Sequence, residues 1–351
     1  MQTLAIILVS WNVCDRLRTA LQAIDSSFHG SGIRYTTLVV DNASNDGTAT
    51  MVRSEFPHVH LLEPGYNAGF AAGNNLALRT LGFGSEGRCE WTPWVPCGRG
   101  AGGEGFRGVG QSSDNAAIPA VWAVMLLNPD TKPLGDALPR LVAYLASNPS
   151  VLAVGPQLRY ADGSIQSSRR RFPTRGTFFW ESTSLERWWP RNPWVERYRC
   201  AERNDDTCQH VDWLVGAALL VRGSAIARAG LLDEGFFLYS EEIEWQQRLR
   251  HANHPDSAIV YLPDAIILHY EAQSSGQVPA AHHLHFQRSR IRLARLWYGQ
   301  RFAVVLRLFL LLTYIWECAL ESVKWLLGHR RSLRQQRIAI YTSVLRSRLY
   351  V

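Results

Sequence analysis

An α/β domain built on a mostly parallel, doubly wound sheet is the fold class this 351-residue sequence predicts, on three observations. Apolar β-rich runs alternate with helix-period segments up to about Leu81, and again from Ala120 to about His285. The links between them are short, as strand–helix–strand units of a parallel sheet have them. Hydrophobic residues make up 46% of the chain, enough for a sizeable core and too many for a disordered one.

Each element follows in order. "LAIILVS" is a continuous apolar run, the mark of a strand buried on both faces. "DRLRTALQAI" carries Leu17, Leu21 and Ile24 at helical spacing. "YTTLVVD" and "VHLLEP" read as the second and third strands, and "TATMVRSEF" and "AGNNLALRTL" as the helices after them. Residues 82–119 are Gly-rich and without sustained period, and read as a flexible insertion. The pattern then resumes. "VWAVMLL" is a strand, "ALPRLVAYLASN" a helix, "VLAVGPQLRY" a strand, and "VDWLVGAALLVR" one long apolar strand. "EEIEWQQRLRHA" is a helix entered through Ser240 as N-cap, and "AIVYLP" and "AIILHY" are two short strands. Residues 1–285 thus form one domain.

Residues 286–351 form a basic, apolar helical tail. Arg288, Arg290, Arg292, Arg295 and Arg301 precede "FAVVLRLFLLLTYIW", which falls short of the roughly 20 apolar residues that span a bilayer. Glu317, Glu321 and Lys324 lie on one helical face beyond it. With Trp316 and Trp325 as anchors and Arg clusters on both flanks, the pattern fits a helix lying on the membrane. The alternatives are a buried C-terminal helix or a dimer interface.

Charge and cysteines narrow the partners. The net charge of +7, carried almost wholly by Arg, suits phosphates, acidic lipids or nucleic acid. The six cysteines form no CxxC pair, which argues against a zinc site. The short apolar run at the N-terminus is a strand, not a signal peptide, so a reducing cytoplasm with free thiols is expected.

Ligands of an open parallel sheet bind outside the carboxyl ends of its strands. Here those ends are polar: Ser10-Trp11-Asn12, Asp41-Asn42, the "NAGFAAGN" loop, Asn128-Pro129-Asp130 and His269. "LLNPDT" ends an apolar strand on a carboxylate behind a proline, which is either a turn or the seat of a charged ligand. No GxxxxGK[ST] loop is present and no GxGxxG follows the first strand. A nucleotide diphosphate would therefore need other means, and a divalent metal on a carboxylate is the obvious one.

"VSWN", "VVDNASNDGT", "NAGFAAGNN", "LLNPDT", "DWLVGAALLVR", "DEGFFLYSEEIEWQQRLR" and "HYEAQSS" follow one another over roughly residues 4–275. In this order they resemble the family 2 inverting glycosyltransferases of the GT-A fold, in the rhamnosyltransferase-like branch. The resemblance implies a nucleotide-sugar donor, dTDP-rhamnose, and a glycan or lipid-linked acceptor in cell-envelope polysaccharide synthesis. It also implies Mg²⁺ or Mn²⁺ and a place at the cytoplasmic face of the membrane, with no nucleic-acid partner. It assigns Asp41 and Trp11 to the nucleotide base, and Asn67 and Gly69 to the loop lining the nucleotide pocket. Asn128 and Asp130 stand where many relatives carry DxD, with Asn128 replacing the first carboxylate. Asp130 and His269 would hold the metal.

Glu242 stands where the family places its general base, as Glu where Asp is usual. Inverting transfer needs that one base and charge stabilisation of the leaving diphosphate. Acids in a first helical turn are also favourable on their own account. Arg248 has two readings, contact with the donor diphosphate or an i, i+4 pair with Glu244. "SSRRRFP", residues 167–173, reads as a solvated basic loop, or alternatively as a contact with the acceptor pyrophosphate. A nucleotidyltransferase would be expected to carry a Gly-rich, basic loop after the first strand, and "SWNVCD" is not one. A non-catalytic glycan-binding scaffold would not need Asp41, Asp130, Glu242 and His269 together.

Overall fold

The computed structural model describes residues 3–84, 121–270 and 279–351. Most of the Gly-rich insertion and the "EAQSS" part of the last motif lie outside the described residues.

The first half of the chain runs β1 (Thr3–Ser10), α1 (Cys14–Phe28), β2 (Tyr35–Asp41), α2 (Thr48–Glu55), β3 (His60–Leu62) and α3 (Gly69–Thr80). It continues with β4 (Val121–Leu127), β5 (Thr131–Pro133), α4 (Ala137–Ser147) and β6 (Val151–Arg159). Short elements follow: β7 (Ile165–Gln166), β8 (Arg169–Arg170), α5 (Arg175–Trp180), α6 (Ser184–Trp188), α7 (Pro193–Tyr198), β9 (Gln209–Val211) and β10 (Trp213–Leu214). The last are β11 (Ala218–Arg222), α8 (Gly223–Ala229), α9 (Glu241–His251), β12 (Ala258–His269), α10 (Pro279–Leu326) and α11 (Arg331–Ser347).

The main sheet has the order β3-β2-β1-β4-β11-β6-β12-β5. Its first four strands are parallel, as alternating strand and helix require. β11 then runs antiparallel to both β4 and β6, and β5 antiparallel to β12, so the sheet is mixed rather than mostly parallel. The cause lies in "VDWLVGAALLVR". It is not one strand: β10 pairs with β8 in a separate two-stranded sheet, and the chain must break at 215–217 before β11 joins the main one. Conversely, the two short strands expected near the end are one strand, β12, with a register shift between Leu262 and Ile266. Pro263, which has no N–H to give, sits in that shift.

One apolar layer packs α1 and α4 on one face of the sheet, and another packs α3, α8 and α9 on the other. A third cluster joins Phe178, Tyr198, Trp213, Phe236 and Ile243 to Ala303, Leu306, Leu310 and Tyr314 of α10.

α10 breaks at Gly299, whose φ of 85° no helix interior adopts. Its second part, 300–326, turns its acids inward. Glu321 is buried against Arg334 (2.7 Å) and Lys324 (3.1 Å), and buried Glu317 pairs with Arg187. Leu308, Leu312, Ile315 and Leu327 are left outside. The helix is therefore apolar towards solvent and partly charged towards the protein. Glu317 and Glu321 are not the water-facing side of an interfacial helix.

Candidate active site

The strand ends meet as the topology requires. Ser10 lies opposite Asp41 across β1 and β2, so Trp11 and the Asp41 carboxylate leave neighbouring strand ends. Asp41 is buried, and its Oδ1 accepts from the Ser44 amide (3.3 Å) and hydroxyl. The Asn12 side chain accepts from the Asn45 amide (2.8 Å), closing the "NASND" loop over β1.

Asn67 and Gly69 form the facing wall. Asn67 Oδ1 accepts from the Gly69 amide (3.0 Å), and the Gly69 carbonyl accepts from the Asn42 amide side chain (3.1 Å). Gly69 has φ +83°, and a Cβ there would run into the Phe237 carbonyl. That carbonyl accepts from the Phe70 amide at 2.8 Å. The 67–70 loop is thus stitched to the segment that leads into α9. Phe237 was not legible as a site residue, since nothing in the sequence shows which backbone an obligatory glycine faces.

Asn128-Pro129-Asp130 is a tight turn, closed by the Thr131 amide donating to the Asn128 carbonyl (3.2 Å). β5 then pairs with the end of β12, Thr131 opposite His269, which brings Asp130 Oδ1 to 3.4 Å from His269 Nε2. Asn128 Nδ2 lies 3.5 Å from the same nitrogen. His269 Nδ1 lies 2.9 Å from the Gln166 side-chain oxygen, which can only accept. In a neutral imidazole that bond puts the proton on Nδ1 and turns the Nε2 lone pair towards Asp130 and Asn128, the form a metal ligand takes. One carboxylate and one imidazole lone pair at a strand end fit a divalent cation that takes its other ligands from phosphate and water. Among the described residues no group of three or more acidic, His or Cys side chains gathers. Gln166 carried no sequence signal: it sits on a two-residue strand.

Glu242 lies in the first turn of α9. Tyr239 and Ser240 just before it are both left-handed (φ 71° and 67°), a backbone cost of about 1–3 kcal/mol each for non-glycine residues. Ser240 makes no capping hydrogen bond, contrary to the N-cap expectation. The helix is pinned instead by buried Gln246, which accepts from the Leu214 amide (2.9 Å) and donates to the Leu214 carbonyl (2.7 Å) and the Glu242 carbonyl (3.1 Å). Glu242 packs on Gly216, where a Cβ would stand 3.3 Å from that of Glu242. The next residue, Ala217, accepts from the Asn128 amide at 2.8 Å. The base candidate and the Asn-Pro-Asp turn therefore flank one short backbone step.

Glu242 Oε2 is buried without a hydrogen-bond partner. Burial pushes this carboxyl up to about 7, against the hydrogen bonds from backbone amides around it. Glu241 is held well above the carboxylate range by burial and by the Glu242 charge.

Arg248 does not reach this site. It chelates Glu244 (2.6 and 2.8 Å) and donates to the Ala229 and Leu231 carbonyls (2.6 and 2.8 Å), so the helical-pair reading replaces the donor-contact one. Nor is the 167–173 segment a solvated loop. Arg169 is buried and binds Asp205 (2.7 Å) and the Arg203 and Asn204 carbonyls, within β8.

No family model matches the chain. Two solved structures are similar in outline. A mannosyltransferase from Pyrobaculum calidifontis, in complex with GDP-Man and Mn²⁺, is 14% identical with a TM-score of 0.49, over 99% of this chain and 87% of that one. GalNAc-T7 with UDP, GalNAc and Mn²⁺ is 10% identical with a TM-score of 0.48, over 76% of this chain and 43% of that one. The N-acetylglucosaminyl-diphospho-decaprenol L-rhamnosyltransferase of Mycobacterium tuberculosis, from two strains, is 34% identical over 249 residues, 70% of each chain. The chain belongs to the family of that enzyme, the rhamnosyltransferase-like family 2 glycosyltransferases.

Proposed function

We propose that this glycosyltransferase moves rhamnose from dTDP-rhamnose to a lipid-linked N-acetylglucosaminyl diphosphate at the cytoplasmic face of the membrane, inverting the anomeric centre. The substrates are suggested by kinship with the mycobacterial enzyme. The reading is supported by one geometric observation: Glu242 packs on Gly216, and the turn that carries Asp130 is hydrogen-bonded, through the Asn128 amide, to the adjacent Ala217.

Asp41 has Oδ1 occupied by Ser44, which leaves Oδ2 to accept the imide N–H of a thymine, with Trp11 beside the ring. Glu242 takes the proton of the acceptor hydroxyl as that oxygen bonds to the anomeric carbon and the bond to the donor diphosphate breaks. A single in-line displacement of this kind inverts the centre. Asp130 and His269 would hold Mg²⁺ or Mn²⁺, which when bound neutralises charge on the diphosphate. Asn128 can give that diphosphate a neutral donor where relatives have a second carboxylate. The exposed apolar side of 302–327 would keep the enzyme at the bilayer where its acceptor resides.

A donor screen reading nucleotide diphosphate release, with and without lipid-linked acceptor, tests this. Release of dTDP from dTDP-rhamnose, stimulated by the acceptor, is expected. Release of inorganic pyrophosphate would indicate a nucleotidyltransferase, and no release from any donor would indicate a scaffold. Either result would overturn the proposal.

A further inference from the structure

We infer that a tryptophan cluster on α5–α7 is a second membrane-contacting surface, joined to the apolar side of α10 in one face that lies flat on an anionic bilayer. This rests on the membrane reading above and extends it to a part of the catalytic domain.

The cluster is built. Trp180 and Trp194 stack at 5.5 Å with planes 4° apart, and Trp189 meets both edge-on at 5.4 and 6.2 Å. Trp194 lies on Gly176, where any Cβ would collide with the indole. Yet Trp189 is 48% exposed, and Trp188 beside it is 73% exposed. Large rings held rigid and left in the open mark an interaction surface, and indoles favour the headgroup level of a bilayer.

Its position ties it to α10. Phe179 meets Phe302 and Phe309 edge-on at 5.7 and 5.0 Å, and Arg187 pairs with Glu317. The α5–α6 segment therefore runs along α10 from 302 to 317. Exposed Trp188 and Trp316 are the chain neighbours of the two ion-pair members.

α10 is long and apolar enough to cross a membrane, but the same contacts argue for an in-plane helix. Residues 300–326 cover about 40 Å, long enough in principle. But Glu321 is clasped by Arg334 of α11, and Glu317 by Arg187 of α6, so insertion would drag both ion pairs and α11 into hydrocarbon. An in-plane helix keeps these charges on the protein side and puts Leu308, Leu312, Ile315 and Leu327 into the acyl boundary. The margin is basic: residues 328–351 contain six Arg and no acid, and Arg191 is exposed between Trp189 and Trp194. A glycan platform would instead need free acids or amides beside the rings. Glu181 and Glu186 are taken up by Arg199, and Asn192 is buried as the cap of α7, which leaves Glu196 as the exposed acid near Trp194.

Hydrogen–deuterium exchange on the full chain tests this, with vesicles of neutral lipid and with vesicles carrying about one-third anionic lipid. Slowed exchange in both 184–198 and 304–327, on anionic vesicles, is expected. Protection of 304–327 alone would overturn the inference and leave the membrane reading standing, whereas protection of neither would overturn both. Protection of 184–198 by soluble N-acetylglucosaminyl diphosphate, and not by vesicles, would make the cluster a glycan platform and also overturn it. Trp188→Ser, at a ring outside the stacked trio, should weaken partition into anionic vesicles on the order of tenfold, with dTDP binding in detergent unchanged. Unaltered partition would contradict the inference.

Discussion

Glu242→Gln keeps the size of the side chain and removes its ability to take a proton. The structure sets the scale of the effect. Burial lifts the Glu242 carboxyl to about 7, and Glu241 is raised as well, by burial and by the Glu242 charge. The pair therefore gives up a proton near neutrality. As the proposed base, Glu242 would act only as carboxylate, so activity is expected on the alkaline side of this ionisation. About a tenth of the enzyme is competent at pH 6 and about nine-tenths at pH 8, so turnover should rise about tenfold between them. The Gln variant should lose roughly 10²–10⁴-fold in turnover, the usual worth of a general base, together with this pH limb. Glu241→Gln leaves the proposed base in place and should keep most of the turnover and the limb. The assay is dTDP release from dTDP-rhamnose with lipid-linked acceptor from pH 5.5 to 8.5, beside calorimetric dTDP affinity, which should be nearly unchanged in both variants. Near-normal turnover in Glu242→Gln, or a larger loss in Glu241→Gln, would show that the base is another residue.

Three further outcomes follow from the packing. Gly69→Ala puts a Cβ against the Phe237 carbonyl at φ +83°, and should cost at least about 1–3 kcal/mol in denaturant unfolding and weaken dTDP binding. Gln166→Leu removes the acceptor that orients His269, so Mn²⁺ affinity in the presence of dTDP, read by electron paramagnetic resonance, should fall about 10–100-fold. Glu321→Ala strands buried Arg334 and should lower stability by about 3–5 kcal/mol in denaturant unfolding. Burial alone would push the Glu321 carboxyl up. The hydrogen bonds from Arg334 and Lys324 outweigh it and hold it low, so this stabilisation is present at neutral pH and is lost as acid protonates the group.

The parts of the site that lie at ends of parallel strands were legible in the sequence, because period and polarity change together there. Asp41, Asp130 and His269 are of this kind. Glu242 was legible by resemblance, since an acidic first turn alone fits an ordinary helix. What escaped the sequence depends on long-range pairing. β11 reads as one strand with β10 because both are apolar, and only the two-stranded β8–β10 sheet shows where it breaks. Gln166 meets His269 across 103 positions, with no local pattern to announce it. Arg248 has the spacing for Glu244 and the chemistry for a diphosphate, and its carbonyl partners decide between them. The inward face of α10 is hidden in the sequence because Glu317 and Glu321 look like a wetted edge until Arg187 and Arg334 are placed beside them.

The measurement that bears most directly on the account is the anomeric configuration of the product formed from dTDP-rhamnose and N-acetylglucosaminyl-diphospho-polyprenol, determined by nuclear magnetic resonance. One proposed base, with no second carboxylate acting as nucleophile, predicts a rhamnosyl linkage opposite in configuration to the donor, formed by the wild type and not by Glu242→Gln. A linkage that retains the donor's configuration, or an inverted product formed equally well without Glu242, would contradict it.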